Sequence, residues 1–89
     1  MTHHVAILSV RGQKLKGMAH HFTVRPSGRT DALTNAATRI AREMGMKVLA
    51  AHVVGHNADG NFYEVTFGRP VKGTNASEPL SVMQLQITG

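Results

Sequence analysis

The sequence predicts a two-layer α+β domain. One helix lies on a mainly antiparallel sheet in the order ββαββ, with a further strand at the C-terminus. Three observations carry this. Over residues 31–44, Leu33, Ala36, Ala37, Ile40, Ala41 and Met44 recur at three- and four-residue steps, one stripe of a 3.6-period helix. Asn35, Thr38, Arg39, Arg42 and Glu43 fall on the opposite side. The stretches on either side of that helix alternate with period two or form short runs of branched apolar residues, the patterns of strands. Finally, 89 residues without an internal repeat or low-complexity segment suit a single small domain, 1–89.

Taken in order, residues 4–10 are apolar and branched and read as the first strand. Residues 11–17, with Gly12 and Gly17 near the ends, read as a basic turn. Along 18–25, His20, Phe22 and Val24 alternate with His21, Thr23 and Arg25, which makes the second strand of a hairpin. Pro26, Ser27, Gly28 and Arg29 then turn the chain into the helix. Thr30 or Asp31 caps its start, and Gly45 supplies the left-handed residue that ends it.

Residues 46–55 hold a nearly unbroken apolar run from Val48 to Val54 and read as a central strand, although periodicity alone leaves a second helix open. The turn 57–61, with Asp59-Gly60, sends the chain back along a strand at 62–68 whose Tyr63, Val65 and Phe67 share one face. A loop at 69–79 carries Pro70, Gly73 and Pro79. In the last stretch, 80–88, Met83, Leu85 and Ile87 alternate with Gln84, Gln86 and Thr88. That pattern favours a strand over the helix that Ser77-Glu78-Pro79 would start.

Composition excludes several functions. With no cysteine, neither a disulfide framework nor a thiolate metal site is available. No apolar run is long enough for a membrane span and no signal segment opens the chain, so a cytoplasmic protein without membrane contact is expected. Asn75-Ala76-Ser77 matches a glycosylation sequon but reads as loop. The net charge of +5 is unevenly placed. Residues 1–30 contain Arg11, Lys14, Lys16, Arg25 and Arg29 and no acid, whereas the basic and acidic residues from 31 onward balance. That asymmetry points to an acidic partner, nucleic acid or an acidic protein surface.

Six histidines invite a metal reading. The neighbours His3-His4 and His20-His21 point to opposite faces of a strand, and His52 and His56 on a strand stand roughly 13 Å apart. A pair such as His20 with His52 is the remaining route; no metal and no cofactor is expected. The scattered carboxylates, the missing nucleophile elbow and the missing phosphate loop argue against an enzyme. Arg25, Ser27, Arg29 and Thr30 precede a helix N-terminus, where free N–H groups favour an anion. Aromatic residues are too few for a platform that stacks single-stranded bases.

The expected function is therefore a small non-enzymatic binding protein contacting nucleic acid through phosphates. Arg11, Lys14, Lys16, Arg25, Ser27, Arg29 and Thr30 are the candidate anion-binding residues, with the 11–17 turn and the 25–29 loop roughly 20 Å or more apart. The alternative is a protein-interaction module, such as a small inhibitor or adaptor from a bacterium, phage or plasmid, or a homodimer, using the exposed sheet face or an edge strand at 83–87.

Overall fold

Alternation along the C-terminal stretch buries Met83, Leu85 and Ile87 on one side, and the strand they form is the middle of the sheet. The computed structural model describes residues 2–14, 16–26 and 31–89. Its elements are β1 (His3–Gly12), β2 (His21–Val24), α1 (Ala32–Met44), β3 (Lys47–Asn57), β4 (Gly60–Pro70) and β5 (Ser77–Thr88). All strand pairs are antiparallel and the spatial order is β2-β1-β5-β4-β3. The domain is α+β, one helix on a five-stranded antiparallel sheet.

The helix carries the chain from one edge of the sheet to the other. Five strands at about 4.8 Å spacing are roughly 19 Å wide, and a 13-residue helix is about 20 Å long, so one helix spans the sheet. Its stripe of Ala36, Ala37, Ile40, Ala41 and Met44 is buried. With Ile7, Val65, Phe67, Met83 and Leu85, part of this stripe forms the larger core cluster, and Val5, Val24, Ala36 and Ile87 continue the core toward the helix start.

Both helix ends are built locally. The Asp31 carboxylate accepts the Thr34 N–H at 2.7 Å, so Asp31 is the N-cap; Thr30 lies outside the described residues. Gly45 is left-handed at φ 66°. Its N–H reaches the Arg42 carbonyl and the Met46 N–H reaches that of Ala41, which satisfies the last free carbonyls of the helix. The hydrogen bond from Thr34 holds the Asp31 carboxyl below its ordinary value. A depressed folded-state value adds stability above the unfolded value of about 4. That contribution fades as pH falls through the folded value. Replacing Asp31 by alanine is expected to cost about 1 kcal/mol near neutral pH. Asp31→Asn keeps the acceptor and loses only the charge, so its deficit should close below about pH 4 in urea titrations.

Several expectations are corrected. The segment 83–87 is not an edge, because β5 is paired on both sides by β1 and β4. The apolar segment read as a central strand is the edge strand β3. His20 and His52 cannot share an ion, because β2 and β3 form opposite edges with three strands between them. The second strand is shortened to His21–Val24; His20 instead accepts a hydrogen bond from the Ile7 N–H through its carbonyl. β4 and β5 extend into the expected loop at 69–79 and leave only residues 71–76 between them.

Candidate nucleic-acid interface

The register of the sheet decides which charges meet. Gly12 pairs with Ser81, Lys47 with Gly68 and Arg69 with Glu78, so the end of β1, the start of β3, the end of β4 and the start of β5 lie at one end of the sheet. Lys14 and Lys16 follow β1 there, and the Gln13 N–H binds the Leu80 carbonyl. Lys72 sits in the 71–76 connection above β4. Arg11, Lys14, Lys16, Lys47, Arg69 and Lys72 thus occupy one end, with Glu78 among them. Between Arg11 on β1 and Lys47 on β3 there are three strand spacings, about 14 Å.

These cations are not equivalent. Arg11 is 3.6 Å from Glu64, which also has the His52 Nε2 at 3.6 Å, so part of its charge is already matched on the open sheet face. Arg69 donates from Nε to the Gly45 carbonyl at 3.3 Å and so also holds the helix C-terminus. Lys14, Lys16, Lys47 and Lys72 are exposed and make no ion pair among the described residues. A lysine ammonium is a compact, strongly hydrated point charge.

Arg25 stands apart from this group. Val24 pairs with His3, so Arg25 lies at the far end of β1, roughly 26 Å from Arg11 for eight residues of strand. There it lines a shallow groove with Thr23, Asn35, Thr38, Arg42 and Glu43. Arg39, also in that groove, is committed to structure. It stacks 4.6 Å from the Phe22 ring centroid, donates to the Thr23 carbonyl at 3.1 Å and lies 3.6 Å from Glu43. Ser27, Arg29 and Thr30 lie outside the described residues.

The sequence reading missed Lys47, Arg69 and Lys72, because it divided charge by position along the chain. The local signal was present, since each follows or precedes a strand end, but only the β3–β4 and β4–β5 registers bring them to Arg11. Among the described residues, no group of three or more histidines, aspartates or glutamates is placed to hold a metal ion, and no helix is long and apolar enough to cross a membrane. No protein-family model, curated protein or solved structure matches the chain.

Proposed function

We propose that the protein is a non-enzymatic nucleic-acid-binding module that holds the phosphodiester backbone at the basic end of its sheet. The observation that carries this reading is the convergence of Arg11, Lys14 and Lys16 with Lys47, Arg69 and Lys72 from the second half of the chain. The aromatic side chains favour backbone contact over base stacking. Phe67 and Tyr63 pack on the core and Phe22 is covered by Arg39, which leaves Phe62, partly exposed, as a single ring and not a stacking platform. Most carboxylates have structural work that argues against acid–base catalysis: Asp31 caps the helix, Glu43 meets Arg39, and Glu64 meets Arg11 and His52.

The test is a titration of labelled duplex DNA at several salt concentrations between about 50 and 200 mM. Affinity should fall steeply with salt, with a log–log slope of about −0.9 for each phosphate neutralised. Replacing Lys14, Lys16 and Lys72 together by glutamine should make that slope shallower by about 2 to 3 and weaken all sequences alike. Binding that is insensitive to salt, or a triple variant with the wild-type slope, would refute the reading.

A second reading, a protein-interaction module, is favoured by one observation: β3 is a long, apolar edge strand with most of its residues exposed.

A further inference from the structure

We propose that β3 pairs with β3 of a second copy of this chain, antiparallel across a two-fold axis near His52, joining the two sheets into one. The two edges of the sheet differ sharply. β2 is four residues long and Arg39 closes over it, donating to the Thr23 carbonyl. β3 is 11 residues long, with only Leu49 and Gly55 partly buried. Val48, Val53 and Val54 are exposed at 37%, 62% and 50%, although Val48 pairs with the core residue Phe67 and Val53 with Tyr63, which packs against the core. Met46, between the helix and β3, packs on the core, while farther along β3 Val53 lines an open groove with Leu33, Tyr63 and Ile87. Register irregularities between Val48 and Ala50 and between Val53 and Gly55 bend β3 near each end, and the regular stretch Ala50–Val53 between them is an open edge that carries no lysine, arginine, aspartate or glutamate.

Charge selects a second copy as the occupant. Between Leu49 and Gly55, β3 holds no lysine, arginine, aspartate or glutamate. With the axis near His52, Lys47 of one copy falls opposite Asn57 of the other, next to the turn that carries the exposed Asp59. Symmetry repeats that complementary contact at the other end. The two Lys47 residues are then about 33 Å apart, several Debye lengths at physiological salt, and the two basic sheet ends point in opposite directions. Ala51 meets Val53 across the axis, within the regular stretch.

The size of the edge sets the strength. A strand of 11 residues offers about 36 Å of length and about 10 Å of depth, roughly 700 Å² over both partners. That is below the ~1,200 Å² at which stable interfaces begin, so the dimer is reversible and depends on concentration.

Sedimentation equilibrium from about 1 to about 500 µM tests this, without nucleic acid and so independently of the phosphate-binding reading. The wild type should pass from monomer to dimer. Val53→Lys should stay monomeric throughout, while Leu8→Lys, at a β1 site exposed to 50%, should dimerise like the wild type. Because the chain has no cysteine, single substitutions report the register. His52→Cys should oxidise rapidly to a disulfide-linked dimer and Lys47→Cys should not. A wild type that is monomeric at the highest concentration overturns the proposal and leaves the edge to a different protein's extended segment. Dimerisation unaffected by Val53→Lys, or cross-linking as fast at Lys47 as at His52, overturns it equally.

Discussion

Replacing Phe67 by alanine is expected to lower stability by about 3–5 kcal/mol. Phe67 is the largest fully buried side chain among the described residues, at 0% exposure on the helix side of β4. It shares its cluster with Ile40 and Met44 from the helix and Met83 and Leu85 from β5, so it touches both layers. Truncation removes the transfer free energy of a phenyl ring and leaves a cavity bounded by a sheet paired on both sides, which cannot collapse easily. A domain of this length has a total stability of roughly 5–12 kcal/mol, so the variant should be marginally folded. Urea unfolding followed by circular dichroism measures this. Phe62→Ala, at a partly exposed position paired with Gln86 and Gly55, is the comparison and should cost much less. A Phe67→Ala midpoint within 1.5 kcal/mol (about half the lower expectation) of wild type would mean that the core is not organised around β4.

Gly68→Ala should be nearly as damaging, at about 3 kcal/mol, for a different reason. Gly68 is buried at an irregularity in the β4–β5 pairing, where the register shifts between Phe67 and Gly68 and the chain pairs with Pro79. A methyl group there would press into the backbone carbonyl of Glu78 and the Leu49 side chain. The leucine can move, but the carbonyl belongs to the neighbouring strand, so β4 and β5 must part. Gly45→Ala separates this from a general glycine effect. It has open space around it and is left-handed at φ 66°, so its cost should be only the backbone strain of about 1 kcal/mol. Equal losses in the two variants would contradict the steric account. Because Arg69 and Glu78 pair beside Gly68, opening this seam should also disturb the basic end and weaken phosphate binding.

The local elements were legible and their neighbours were not. Leu33 to Met44 could be read as a helix because a 3.6-residue stripe and both caps are encoded within 15 residues of each other. Met83, Leu85 and Ile87 signalled a strand by alternation, and all three are buried. Sheet order was not encoded in that way. A continuous run such as Val48–Val54 describes a strand buried between two neighbours and an edge awaiting a partner equally well, since both present apolar side chains on both faces. The basic site was half legible for the same reason. Lys14 and Lys16 stand out next to Arg11, but Lys47 and Lys72 join them only through the pairing of Lys47 with Gly68 and the return of β4 into β5. Arg25 belongs to the same sequence run yet ends at the other end of β1, because the hairpin reverses the chain.

The most direct measurement of the central claim is a map of backbone amide shifts as duplex DNA is titrated into the labelled protein at low salt. The account predicts that shifts gather at Arg11–Lys16, Lys47 and Arg69–Lys72, and that added salt reverses them together. Shifts confined to Thr23–Arg25 and Arg39–Glu43, or none at low salt, would contradict it.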